Sequence, residues 1–308
     1  MIDWVTAKMP CRNTLETGGI IKYNKDGGIE WLSQSWLPVQ GSHDSNIVIK
    51  PMTDNTIQIS GNPTKWLQGH NLFGTNDLKW LMYRFYCDLH ERLCDDGLNP
   101  TMEQYELVEN GNYTVSRVDV NETWHLKNKN EVQAWIRAVG ETATLKHRGA
   151  GQFSGDTAYF GKNSRRWSLK CYSKGSEILA KGHKLPQELC IPEMIEYANK
   201  ALRIEGVIRQ LELKRRHLNV AANWDIDTAE ELLLEYISKL EMSDVYMLKD
   251  DVLDDLPYRL RLTYQAWLNG DDMRAILSRP TFYRYRSQLL KYGVDISTKS
   301  PKEKSNVI

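Results

Sequence analysis

No run of apolar residues in this 308-residue chain approaches the roughly 20 that a membrane-spanning helix needs. Its first residues, MIDWVTAKMPCRN, lack the basic stretch followed by an apolar one that marks a secretory leader. Cysteine is scarce: five residues, an odd number with no Cys-x-x-Cys pair, which argues against a disulfide framework and a thiolate zinc centre. These absences point to a chain with no membrane partner, working in a reducing cytoplasm. Net charge is missing as well, with 40 Lys and Arg against 40 Asp and Glu. Taken globally, that zero speaks against a polyanionic partner. What remains, 41% apolar and 26% charged residues, is the composition of a soluble globular protein long enough for two domains.

The charge is unevenly placed. Between Gly161 and Lys184 seven Lys or Arg stand against one acid, Glu177. Between Val220 and Tyr258 eleven acids stand against Lys239 and Lys249, and from Met273 to Lys291 there are five basic residues and no acid. Two basic segments separated by an acidic one are what two DNA-contacting surfaces require, because phosphate attraction is supplied locally. The plainer reading of the acidic block is one solvated helix face.

The order of elements predicts an α+β fold, mainly antiparallel sheet with covering helices. Short alternating runs between Ile2 and Ser60, punctuated by Gly, Asn and Asp, predict a meander of strands. Leu78 to Leu93 carries a broad apolar stripe and reads as a helix capped by Thr75 or Asn76. Further strands are expected over Tyr113 to Trp124, Thr157 to Gly161, Trp167 to Lys174 and Leu202 to Arg209, with helices over Glu131 to Val139 and Pro192 to Leu202. This part ends near His217. The remainder reads as helical, and Asp271 to Gly293 gives a short helix, a turn, then a second helix opened by Pro280 and closed by Gly293: a helix-turn-helix. In that second helix Phe282, Tyr285, Leu289 and Leu290 face inward. Tyr283, Arg284, Arg286 and Ser287 face outward, where recognition helices meet DNA. Residues 298–308 are polar and expected to be disordered.

Within GDTAYFGKNSRRWSLKCYSK, from Gly155 to Lys174, Trp167, Leu169 and Cys171 alternate with Ser168, Lys170 and Tyr172. A strand there sends the first set into a core and places Tyr172 on the other face between Lys170 and Lys174. Neighbouring ammonium groups favour a phenolate, the nucleophilic form of a tyrosine, and the same cations hold phosphate. The plainer alternative is an edge-strand tyrosine with two solvated lysines. Three more polar groups interrupt apolar patterns: His70 in a Gly/Asn-rich turn, Asp119 two residues after Arg117, and Glu205 two residues after Arg203. They offer the hard ligands that Mg²⁺ or Mn²⁺ takes, although acids two residues from an arginine are more often structural ion pairs.

The runs TKWLQGHNLFGTNDL, TVSRVDV, TAYFG with LKCYSKG, ALRIEGVIR and RPTFYRYRSQLLKYGVDI resemble, in the same order, blocks of the II/X family of filamentous-phage and plasmid replication proteins. They span most of residues 60–295. The resemblance implies a rolling-circle initiator whose residues 1–217 nick and religate, followed by a helical DNA-binding domain over 218–297. It places the nucleophile at Tyr172, which would hold a 5′ phosphate while the freed 3′ hydroxyl primes synthesis. Lys174 is expected to hold the scissile phosphate or assist the phenol. Asp119, Glu205 and His70 are the inferred metal ligands, since there is no His-x-His pair. DNA contacts are expected from Lys170, Arg165, Arg166, Arg117, Arg203 and Asn71, and, in the tail, from Arg279, Thr281, Tyr283, Arg284 and Arg286. The implied partners are double-stranded origin DNA, the displaced single strand, and a host helicase and polymerase. This reading requires Tyr172 to lie close to Asp119 and Glu205 where DNA can reach it. The rival is a non-enzymatic helix-turn-helix regulator.

Overall fold

The computed structural model describes residues 1–41, 45–145, 149–154, 156–180, 183–241, 256–292 and 294–297. The first six strands are β1 (Ile2–Pro10), β2 (Gly19–Tyr23), β3 (Ile29–Gln34), β4 (Leu37–Gln40), β5 (Asn46–Thr53) and β6 (Thr56–Gly61). Helices α1 (Pro63–Gln68), α2 (Leu78–Leu93) and α3 (Met102–Glu109) follow, then β7 (Thr114–His125) and α4 (Lys129–Thr142). Next come β8 (Thr144–Leu145), β9 (Gly149–Ala150), β10 (Gln152–Ser154), β11 (Thr157–Phe160), β12 (Trp167–Ser173) and α5 (Lys174–Glu177). After α6 (Pro192–Lys200) stand β13 (Ala201–Arg209), α7 (Gln210–Arg215), α8 (Thr228–Ile237) and β14 (Leu240–Glu241). The last three helices are α9 (Tyr258–Leu268), α10 (Met273–Ile276) and α11 (Arg279–Leu290).

Nine strands form one antiparallel sheet in the order β10-β11-β12-β13-β7-β1-β6-β5-β4. The α+β reading therefore holds. The expected meander is only partly present: β1 lies between β6 and β7, deep in the sheet, while β2 and β3 form a separate two-stranded ribbon. Period-2 alternation gives the sheet two unlike faces. Val5, Ala7 and Met9 of β1, Val115, Val118 and Val120 of β7, and Ile204 and Ile208 of β13 enter a single apolar core with Leu81, Phe85, Val132, Ile136, Leu232 and Leu233 from the helices. Gly206 permits α8 to lie close on β13, because an added Cβ would meet Leu233 Cδ1 at 3.3 Å. The opposite face carries the polar side chains of the candidate site.

Local signals set the boundaries of these elements. The α2 stripe Leu78, Leu81, Met82, Phe85, Tyr86, Leu89 and Leu93 is buried as its spacing predicts. Its cap, however, is Asp77, whose carboxylate accepts from Trp80 N–H; Thr75 Oγ1 instead accepts from Asp77 N–H. α1 is capped by Asn62 and stopped at Gly69, whose φ of 79° suits glycine.

The boundary expected near His217 falls inside the first core. Trp224, Leu232, Leu233 and Tyr236 pack with the sheet, and Trp167 stacks on Tyr236 at 4.2 Å between ring centroids. A second core begins at Leu256 and is built from Leu260, Tyr264, Trp267, Met273, Phe282, Leu289 and Ile296. Gly293, expected to close the last helix, and residues 298–308, expected to be a disordered tail, lie outside the described residues. Among the described residues no helix is long and apolar enough to cross a membrane.

Candidate functional site

Strand register assembles the site. Tyr172 lies opposite Arg203, and Arg203 opposite Thr123; one step along, Lys170, Glu205 and Asn121 line up, then Ser168, Val207 and Asp119. Directly opposed residues share a face, so Tyr172, Lys170, Arg203, Glu205, Asp119 and Arg117 share the polar side of β12, β13 and β7. On the adjoining strand the register shifts between Ile2, opposite Val120, and Trp4, opposite Asp119. Asp3 is the extra residue of that bulge, a device that re-aims a side chain. It is buried, and it accepts hydrogen bonds from Asn62 and, at 2.9 Å, from Asn71 Nδ2. Its part in the site was missed in the sequence, where MIDWV reads as plain alternation.

Tyr172 Oη donates to Glu205 Oε2 at 3.1 Å, and Lys170 Nζ pairs with Glu205 Oε1 at 2.8 Å while lying 4.9 Å from the Tyr172 ring centroid. Proximity to Glu205 is therefore met. Accessibility is not: Tyr172 is 4% exposed. The expected phenolate is absent for the same reason. Burial, and then the charges of Glu205 and Glu177, push the phenol well above its ordinary range, outweighing Arg203. Burial also raises Glu205, to about 7, with further upward pushes from Asp119 and Asp3 against the downward pull of Lys170. Asp119 is likewise raised by burial although Arg117 grips both its oxygens, at 2.8 and 2.6 Å.

Several residues expected to meet DNA are used inside the protein. β12 ends at Ser173, which caps α5, so Lys174 leaves the strand alternation and is 1% exposed. It donates to Asn71 Oδ1 at 2.7 Å and to Glu177, and burial lowers its pKa. Arg203, fully buried, donates to the carbonyls of Asn71 and Leu72 and, at 3.1 Å, to Thr123 Oγ1. Arg203, Lys174 and Asp3 thus lock the turn that carries Asn71 onto the polar face. His70 in that turn accepts at Nδ1 from Leu72 N–H, 3.3 Å away, with Gln68 Nε2 at the same distance, and packs edge-on against Phe73. Among the described residues no three or more His, Cys, Asp or Glu side chains are arranged to hold a metal ion. Arg165 and Arg166 are exposed in the β11–β12 turn, and Arg117 is half-buried beside Trp4.

In the second core, α10 and α11 form the expected helix-turn-helix. Arg279, Tyr283 and Arg284 are exposed and Thr281 is half-buried. Arg286 departs from the expected outward set: it grips Asp295 with two bonds of 2.8 Å and is 16% exposed. Asp295 lies just beyond the acid-free window, so the pairing could not be read from that window. Leu290, expected inside, is exposed at 37%. Arg286→Ala should therefore lower the stability of this unit by about 2 kcal/mol, since it strands a nearly buried carboxylate. Arg284→Ala should leave the melting temperature unchanged and weaken duplex binding; calorimetry and a filter-binding titration separate the two effects.

Sequence comparison finds two family models that match successive parts of the chain. Residues 1–227 match the family described as phage replication-associated protein, N-terminal part, and residues 248–308 match the family of its C-terminal part. The replication-associated protein of Enterobacteria phage I2-2 is 36% identical over 318 aligned residues, covering 100% of this chain and 91% of that protein. The replication-associated protein of Enterobacteria phage M13 is 26% identical over 181 residues, 51% of this chain and 40% of that protein. A looser likeness, with a TM-score of 0.36 and 12% identity over 82% of this chain and 89% of the other, is to a rolling circle replication initiator protein from Geobacillus stearothermophilus. With both parts matched in order and the I2-2 relative aligned along the whole of this chain, the protein belongs to the phage replication-associated protein family, the II/X-type proteins whose blocks it resembles.

Proposed function

We propose that this chain initiates rolling-circle replication by nicking one strand of double-stranded origin DNA with Tyr172. The observation that carries the reading is the 3.1 Å hydrogen bond from Tyr172 Oη to a buried, charge-strained Glu205. Glu205 accepts the phenol proton as Oη attacks phosphorus; the P–O3′ bond breaks, and the 3′ oxygen leaves, takes a proton from solvent water and ends as a hydroxyl able to prime synthesis. The phosphodiester energy is kept in a 5′-phosphotyrosine, so attack by a 3′ hydroxyl of the displaced strand reverses the step and religates. Membership of a family named for replication supports the setting. In it, host helicase and polymerase would act on the opened strand.

Lys170 is the movable cover in this scheme. It lies across the phenol ring, holds Glu205 and is 28% exposed. An arriving phosphate competes for its ammonium, and drawing it away uncovers the phenol and removes the charge that weakens Glu205 as a base. Arg165, Arg166 and Arg117, and Arg279, Tyr283 and Arg284 in the tail, supply further backbone contacts. Lys174, Arg203 and Asn71 act as positioning residues.

The donor chemistry fits Mg²⁺ or Mn²⁺. Asp119 and Glu205 are hard oxygen donors of the kind these ions take, and an ion would have to displace Arg117 from Asp119 and Lys170 from Glu205 to reach them. Asp119 and Glu205 would hold the ion, which when bound draws charge from the non-bridging phosphate oxygens. For His70 to join them its ring must turn, because an Nδ1 that accepts from Leu72 leaves the proton on Nε2.

The burial of Tyr172 favours the rival, a duplex-binding regulator without chemistry. Incubation with supercoiled origin-bearing DNA and Mg²⁺ separates the two. Open circles are expected, and are lost on adding EDTA; supercoiled DNA left intact with either cation would favour the regulator.

A further inference from the structure

The polar face continues past Asp119 for about five residues of β7, roughly 16 Å at about 3.3 Å per residue. It passes Trp4, with the Arg117 guanidinium 5.4 Å from its ring, and Arg209, which donates to Ser168. It ends in a cavity of about 210 Å³ walled by Lys8, Thr114, Ser116, Gln210, Lys214 and Asn219, with no acid in the lining. Lys8 is on this side because it opposes Thr114 and follows Trp4 and Thr6 in the strand alternation. Lys214 comes from α7, which starts directly after Arg209. Both lysines are exposed, and neither has an ion-pair partner among the described residues, whereas Lys170, Lys174, Arg117 and Arg286 all do.

Two unpaired ammonium groups facing one cavity repel each other unless an anion lies between them. Of the remaining walls, Thr114, Gln210 and Asn219 carry hydroxyl and amide groups that can donate to phosphate oxygens, while Val115 is aliphatic and Ser116 Oγ donates to the Thr6 carbonyl. We propose that this cavity is a phosphate subsite for the DNA strand that crosses the polar face from Tyr172. The proposal rests on the nicking reading for the direction of that strand. At about 3.4 Å per nucleotide when stacked, and more when extended, the subsite lies roughly three to five nucleotides from Asp119.

The test uses the full chain carrying Tyr172→Phe, so that binding is measured without cleavage, and a single-stranded oligonucleotide titrated at several salt concentrations. Adding Lys8→Ala and Lys214→Ala should reduce the slope of log affinity against log salt by about 0.7, the loss of the one phosphate held between them. Exposed Lys22 and Lys25, on and beside the β2–β3 ribbon, serve as the comparison, and their replacement by Ala should leave the slope unchanged. An unaltered slope in the Lys8/Lys214 variant, or an equal drop in the Lys22/Lys25 variant, would overturn the subsite. Because the readout is binding alone, a parent protein that fails to nick would sink the nicking reading while leaving this measurement to decide the subsite.

Discussion

Tyr172→Phe is expected to leave supercoiled origin DNA uncut, a fall in nicking rate of about 10⁴-fold or more, with the fold intact. The change removes one oxygen from a ring whose packing is otherwise preserved. The lost bond to Glu205 costs about 1 kcal/mol, a small part of the stability of a core this size. A melting curve close to the parent's, together with open circles absent at all times, is the expected pair of results. A variant that still nicks would return Tyr172 to the plain reading of a packed strand tyrosine. The Tyr172 ring lies under Lys170 and is 4% exposed, so the parent should also show a slow step before cleavage that shortens as phosphate competes Lys170 away. Lys170→Ala should shorten that step while weakening DNA binding, and stopped-flow mixing with oligonucleotide resolves it.

Glu205→Gln should be the second large effect. The amide keeps the shape and accepts a hydrogen bond from Tyr172 but takes no proton, so nicking should fall by about 10²–10⁴-fold, the usual span for loss of a general base. In the parent, nicking should rise with pH through about 7 as Glu205 ionises, and the Gln variant should lose that limb. Stability moves the other way. A carboxyl raised above its unfolded value binds its proton more tightly in the folded state. Its contribution is therefore present below the ordinary carboxyl range, near pH 4.5, and is lost as pH rises through about 7. The parent's melting temperature should decline across that window, and the Gln variant should decline less. Equal pH profiles for nicking in parent and variant would remove Glu205 from the proton path.

Periodic signals were legible in the sequence and reciprocal ones were not. The bounds of α2 and the alternation of β13 depend on residues close in the chain and match their patterns. So does the placing of α10 and α11, although only Leu277 and Ser278 part those helices, fewer than the three or four residues expected of the turn. Lys174 shows the limit: one capping serine at position 173 ends the strand and turns the next residue from a solvated cation into a buried strut on Asn71. Asp3 joins the site through a one-residue bulge, visible only once β1 is known to pair with β7. The place of α8 in the first core was not legible, because an amphipathic helix carries no sign of which core it completes. Arg286 reads as an outward cation until Asp295, nine residues on, folds back to it. Lys170 was placed rightly beside Tyr172 and Lys174 was not, and the expected phenolate fails because burial and the acids beside the phenol dominate.

The decisive measurement is the identity of the side chain joined to DNA when the parent cleaves a short origin substrate and the product is digested and sequenced by mass spectrometry. A 5′-phosphodiester on Tyr172, within the segment spanning β12, is expected. Attachment to Tyr159 or any other residue, or cleavage with no covalent intermediate, would contradict it.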